Sequence, residues 1–255
     1  MPKLSRLPLL LLTAFVAVGL AQSTEVSDRP TQLSAASSLS LEAVVDNLVR
    51  KNEERAQALR TAEATRTYHL VYRGFPGDRE AEMTVRAVYT SPSTKDFEVV
   101  SQSGSKIIVD RVFKKLLEGE KESARPELRD RALLNRNNYD FAFVGYESAS
   151  GLYELEVTPK SKSKFAYRGK IWVDGADFAI TRIEAEPAQN PSFWTKKSEI
   201  RYEYGKIQGF WLPVRNQSVS YIRLGGRATL TVEYRDYTVN GMPSSLRAAV
   251  VSPKE

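Results

Sequence analysis

The stretch FAYRGKIWVDGADFAITRIEA, Phe165 to Ala185, decides the fold. Two runs rich in β-branched and aromatic residues flank Asp174-Gly175-Ala176-Asp177, and such runs on either side of a Gly/Asp turn mark an antiparallel hairpin. Working outward, the same grammar continues. Strands are predicted at Tyr139 to Glu147, Tyr153 to Thr158, Phe165 to Val173, Phe178 to Ala185, Ser198 to Tyr204, Trp211 to Tyr221 and Ala228 to Tyr237. Turn signals separate them at Ser148 to Gly151, Lys206 to Gly209 and Gly225-Gly226. Towards the amino terminus, Tyr68, Leu70 and Tyr72 alternate with polar or smaller neighbours. After the turn Phe75-Pro76-Gly77-Asp78, the residues Met83, Val85, Ala87 and Tyr89 alternate in the same way. Phe97 and Val99 mark a third strand, which ends at Ser101 to Ser105, bringing the expected total to ten. Consecutive strands of such a meander are expected to be neighbours in the sheet.

Two segments break this period. Leu41, Val44, Val45, Leu48, Ala56 and Leu59 recur at helical spacing, predicting an amphipathic helix of about five turns with Ser40 as its N-cap. Ile108, Val112, Leu116 and Leu117 predict a second helix, its register interrupted at Asp110 and Arg111, and a shorter helix is expected from Pro126. Helices with one apolar stripe need an apolar face to cover. The expected architecture is therefore mostly β with helices (α+β): a strongly curved antiparallel sheet, an incomplete barrel whose concave face carries a helical lid or plug.

The chain begins MPKLSRLPLLLLTAFVAVGLA, with Lys3 and Arg6 before an apolar run and Gly19-Leu20-Ala21 as a small-x-small cleavage site. These features read as a secretory signal over residues 1–21. An apolar run of about a dozen residues is shorter than the ~20 that span a bilayer. Gln22, not cysteine, follows the cut, and the chain has no cysteine anywhere, which excludes a lipidated cysteine, disulfides and thiolate metal sites. The expectation is a periplasmic protein, soluble after signal removal. Its parts would be a flexible segment over 22–38, one domain over 39–243 and a tail over 244–255. Loss of Lys3 and Arg6 lowers the formal net charge from +6 by two. Lys160-Ser161-Lys162-Ser163-Lys164 and Lys196-Lys197 concentrate part of the excess, and read as solvated turns that could also meet lipid headgroups or an acidic partner. Nucleic acid is not expected as a partner in that compartment.

Catalytic motifs find little support. Ser103-Gly104-Ser105-Lys106 and Ser161-Lys162-Ser163-Lys164 both fit the serine-x-x-lysine pattern, but the companion SDN and KTG boxes are missing. His69 is the sole histidine, so a metal site with two histidines is excluded. The carboxylate pairs Glu118 and Glu120, Asp174 and Asp177, and Glu184 and Glu186 fall at a helix end, a turn and a strand end. No enzyme activity, cofactor or metal is expected. Large aromatic rings instead fall mostly on one parity of their strands, which fits an ordinary core as well as a ligand pocket.

Gly169-Lys170-Ile171-Trp172-Val173-Asp174, Phe178 to Glu184, and Tyr204-Gly205-Lys206-Ile207-Gln208-Gly209-Phe210-Trp211-Leu212-Pro213 resemble segments of the outer-membrane lipoprotein-sorting (LolA-like) proteins. Asn138 to Phe141, Val157 to Lys160 and Asn190 to Trp194 extend the resemblance over roughly Ser38 to Asn240. It implies an incomplete β-barrel with a helical lid. It also implies a periplasmic carrier of acyl chains of lipoproteins or other lipids, acting as a monomer between an inner-membrane donor and an outer-membrane acceptor. The alternative is an interaction or envelope-sensing module of the same fold whose interior is filled by its own side chains. Under the carrier reading, Tyr68, Leu70, Tyr72, Met83, Val85, Phe97 and Val99 line the cavity wall, and Leu41, Val45, Leu48, Ile108 and Val112 face it from the lid.

Overall fold

The structure, a computed structural model, describes residues 39–240 apart from 93, 125–127, 129, 131–132, 163–164, 191–192, 194 and 224. The expected signal at 1–21, the segment 22–38, the tail at 244–255 and Pro126 lie outside the described residues.

Helix α1, Leu41–Ala58, begins where its cap is expected: the Ser40 hydroxyl accepts the Ala43 N–H at 3.3 Å. Three strands follow: β1 Thr61–Arg73, β2 Arg79–Thr90 and β3 Thr94–Gly104. A helical arm comes next, built of α2 Lys106–Ile108, a π-helical segment Val109–Phe113 and α3 Lys114–Ser123. The register break expected at Asp110 and Arg111 is this π segment, where one extra residue per turn re-aims the apolar stripe. Seven more strands complete the chain: β4 Tyr139–Glu147, β5 Leu152–Pro159, β6 Tyr167–Asp174, β7 Ile180–Pro187, β8 Thr195–Ile207, β9 Phe210–Ile222 and β10 Arg227–Val239.

All ten strands form one antiparallel, curved and unclosed sheet, in the order β3-β2-β1-β10-β9-β8-β7-β6-β5-β4. The first and last strands pair inside it, third and fourth in that order, from Ala62 opposite Val239 to Arg73 opposite Arg227. The consecutive strands β3 and β4 are the two edges instead. The break thus falls where the helical excursion leaves the sheet. Period-two alternation gives each strand one apolar face: on β8, Ile200, Tyr202 and Tyr204 are buried while Lys197, Glu199 and Arg201 are exposed. Tight approach fixes some positions. Gly169 has φ +149°, and a Cβ there would lie 2.4 Å from the Glu184 carbonyl oxygen across the β6–β7 pair.

Two apolar clusters hold the fold. Val44, Val45 and Leu48 of α1 pack with Tyr139, Leu155, Val157, Ile171, Ile183 and Tyr202 of the β4–β8 half. Ile108, Val109, Phe113, Leu116 and Leu117 of the arm pack with Tyr68, Leu70, Met83, Val85, Leu230 and Val232 of the other half. Each fully buried large aliphatic or aromatic side chain contributes about 1.5–3 kcal/mol of transfer free energy. Among the described residues, no helix is long and apolar enough to cross a membrane.

Candidate functional site

The inner face of the β1–β2–β3–β10 half, under the helical arm, combines apolar lining with buried charge. Even-numbered positions of β1 point inward, and Tyr68 and Leu70 are nearly inaccessible there. Met83 and Val85 lie beside them on β2, and Phe113 of the arm stacks obliquely on Tyr68 with ring centroids 6.1 Å apart. Tyr72 and Phe97 are half-buried at the margin of this cluster, with Val112 joining from the arm beside Ile108. Eight of the twelve expected wall and lid residues, Tyr68, Leu70, Tyr72, Met83, Val85, Phe97, Ile108 and Val112, thereby meet in one cluster.

The other expected residues are placed elsewhere. Val99 is 49% exposed on the edge strand β3. A register shift opposite Thr84 and Val85 breaks the alternation there, and no strand flanks its far side. Leu41, Val45 and Leu48 do not face Tyr68 or Val85. Helix α1 covers the β4–β8 half, so the five expected lid residues divide between two covers.

Between the two clusters runs a polar seam. Asn216, Ser218 and Ser220 of β9 and Ser198 of β8 are buried on the inner face. The hydroxyls of Ser198 and Ser220 are 2.8 Å apart, and the Asn216 amide donates to the Tyr234 hydroxyl at 2.8 Å. A buried hydroxyl needs such a partner to offset its desolvation.

The residue that inspection of the sequence missed is Arg66. It occupies an inward position of β1, two residues before Tyr68, and is 4% exposed. Its guanidinium donates to a carboxylate oxygen of Glu120, on α3, at 2.7 Å, and the Lys95 ammonium of β3 lies 3.4 Å from the same oxygen. The Phe97 and Tyr234 rings flank the guanidinium carbon at 5.5 and 5.1 Å. Burial opposes the charge of every member. Even so, Arg66 and Lys95 hold the Glu120 carboxyl below the usual carboxylate range. For Arg66, burial works against the charged form but Glu120 outweighs it, so its pKa is raised. Burial dominates for Lys95 and lowers its pKa. A polar residue on the apolar parity of a strand was the available signal. Glu118 and Glu120, expected together at a helix end, divide: Glu118 is exposed and Glu120 buried.

Helix α1 has a separate anchor. Arg55, buried near its carboxyl end, donates to the Asp177 and Phe178 carbonyl oxygens at 2.9 and 2.7 Å. Burial pushes its pKa down to about 10, with Asp177 opposing. The Asp177 carboxylate in turn accepts from Lys206 at 2.6 Å and from the Trp211 ring N–H at 2.8 Å. The remaining chemical candidates have local roles. Asp174 caps the β6–β7 turn by accepting the Asp177 N–H, and His69 Nε2 lies 2.8 Å from Glu80. Ser105 precedes the helical arm, and Glu184 and Glu186 pair with Arg201 and Lys197 on the outer face. Also on that face, Arg201, Glu203, Arg215 and Gln217 line a depression of about 180 Å³.

The sequence matches no protein-family model and no curated protein. Solved structures do resemble the chain. A DUF1329 family protein from Desulfovibrio piger has 12% identity and a TM-score of 0.40, over 80% of this chain and 95% of that one. A putative outer membrane lipoprotein-sorting protein domain from Vibrio parahaemolyticus has 12% identity and a TM-score of 0.37, over 80% and 96%. A LolA superfamily protein from Nitrosomonas europaea has 11% identity and a TM-score of 0.33, over 82% and 97%. The chain's own strand order and two helical covers define the fold as an unclosed antiparallel barrel with helices on its inner face.

Proposed function

We propose that this chain is an exported carrier that takes an acyl chain of a lipoprotein or lipid between its curved sheet and its helical arm and moves it across the periplasm. The observation that carries this reading is the arm itself. It covers the apolar inner face at Tyr68, Leu70, Met83 and Val85, which on this proposal becomes the floor of a trough once the arm lifts, and it buries an ion cluster of Glu120, Arg66 and Lys95 where an apolar contact would hold better. Buried ion pairs are weak stabilisers compared with well-packed hydrocarbon. A cover fastened in this way is suited to release. Each methylene shielded from water is worth about 0.8 kcal/mol, so a trough of this lining holds an acyl chain through non-directional contacts. Transfer then requires an acceptor that buries the chain better. An inner-membrane donor and an outer-membrane acceptor complete the reading.

A second reading has its own observation. Val44, Val45, Leu48, Val85 and Phe113 are wholly inaccessible, so the chain's own side chains fill the interior when the arm is closed. A protein-interaction module of this fold needs no more. Clamping the arm separates the two readings. Asp96 on β3 and Lys121 on α3 face each other at 3.6 Å, and the chain has no native cysteine to interfere. In Asp96→Cys/Lys121→Cys, bridging by a short bismaleimide is expected to abolish uptake of a fluorescent fatty acid, while the unbridged variant binds it. Equal uptake in both forms would reject the trough, and no uptake by either variant or parent would favour the interaction module. Native mass spectrometry of protein recovered from its own cell envelope would identify the cargo.

A further inference from the structure

The turns at one end of the sheet differ in chemistry from those at the other. The β1–β2 turn, the β9–β10 turn, the β7–β8 connection and the end of β3 share one end, because Arg73 pairs with Arg227, Thr195 with Ile222 and Gly104 with Ala81. Phe75 is 79% exposed and Phe193 75% exposed there, and Ile107 follows the end of β3. Among the described residues, the turns at the opposite end present no exposed large hydrophobic side chain, and they carry Asp174 and Asp177.

The aromatic end is a connected structure. The Tyr72 hydroxyl donates to the Phe75 carbonyl at 2.5 Å and lies 3.3 Å from the Gly225 carbonyl, joining the β1–β2 turn to the β9–β10 turn. The two turns touch so closely that a Cβ on Gly74 would lie 2.5 Å from the Gly226 Cα. From the second turn, the Arg223 guanidinium lies 5.3 Å from the Phe193 ring centre, joining the β7–β8 connection. Lys162 in the β5–β6 connection, Lys196 at the start of β8 and Arg227 at the start of β10 are exposed at the same end.

We propose that this end docks on an anionic lipid surface, with Phe75 and Phe193 seated at the level of the headgroups and the surrounding cations paired with lipid phosphates. Two rings projecting from separate turns are a small contact beside the roughly 800 Å² per side that a folded protein partner buries. They match a bilayer interface, which accepts aromatic rings at headgroup depth and lets Lys and Arg stems extend to mobile anionic groups. This surface lies apart from the inner trough, and the inference does not depend on the trough binding an acyl chain.

The test is co-sedimentation of the full chain, expressed with its own amino-terminal segment and purified from the compartment it reaches, with vesicles. Vesicles of phosphatidylcholine plus phosphatidylglycerol are compared with phosphatidylcholine alone. Preference for the anionic vesicles, weakened by salt, is expected. Phe75→Ser/Phe193→Ser should lower partition about tenfold or more. Lys196→Gln/Arg227→Gln should lower it about fivefold per cation, the equivalent of about 1 kcal/mol each. Phe143→Ser, on the exposed edge of β4, should leave it unchanged. As a second measurement, an environment-sensitive dye on Phe75→Cys should shift to the blue on anionic vesicles only. Equal partition to both vesicle types, no partition at all, or an unchanged Phe75→Ser/Phe193→Ser variant would overturn the proposal. Fatty-acid uptake by that variant is expected to match the parent, so failure of docking and failure of the carrier reading are read separately.

Discussion

Replacing Glu120 by Gln isolates the fastening of the helical arm. The side chain keeps its shape, but the carboxylate that Arg66 and Lys95 share, at 2.7 and 3.4 Å, is gone. Breaking a buried pair by removing one partner costs about 3–5 kcal/mol, because the opposite charge stays buried. With about 1.4 kcal/mol for each factor of ten, the open population of the arm should rise roughly one hundred-fold to several thousand-fold. Amide hydrogen exchange followed by mass spectrometry reads this directly: peptides from residues 106–123 should lose protection by that factor, while peptides from β8 and β9 keep theirs. If the arm gates the trough, fatty-acid uptake should become faster in the same variant. Equal loss of protection throughout the sheet would mean that the arm is no separate unit, and unchanged protection would mean that the ion cluster does not hold it. An apolar replacement, Arg66→Met/Lys95→Met/Glu120→Leu, should restore protection to about the parent level or above.

Other perturbations follow the same reasoning. Acid should loosen the arm: the folded pKa of Glu120 lies below its ordinary value, so its contribution is present above the unfolded carboxylate pKa and is lost as pH falls through the folded value. Arm exchange corrected for intrinsic rate, measured from pH 7 downward, should rise below about pH 4. Arg55→Ala removes two hydrogen bonds from a charged donor to the β6–β7 turn and should cost about 1.5–3 kcal/mol, a fall of several degrees in melting temperature by calorimetry. Ser40→Ala removes the α1 cap and should cost about 1 kcal/mol by urea unfolding. Gly169→Ala forces a Cβ against the Glu184 carbonyl at a left-handed φ, and should destabilise more than either by the same measurement.

What was legible in the sequence was whatever local physics fixes. Alternation and turn chemistry located ten strands, among them the hairpin around Asp174-Gly175-Ala176-Asp177. Helical spacing and a capping serine located α1, and the break at Asp110 and Arg111 became the π segment. Parity also gathered Tyr68, Leu70, Met83 and Val85 onto one face. Local pattern could not say which strand pairs with which across the chain. The meander expectation makes neighbours of consecutive strands, yet β1 pairs with β10, while β3 and β4 are left as edges. Periodicity likewise gave α1 an apolar stripe without naming its partner. Only the assembled sheet decided that Val44, Val45 and Leu48 cover the β4–β8 half while the arm covers the other. Arg66 and Glu120 are 54 positions apart, and their meeting under the arm depends on long-range packing that no window of sequence contains. Period and capping act over a few residues, so the chain states them outright. Pairing and burial are settled by competition among all apolar faces at once, and only the tertiary structure records the outcome.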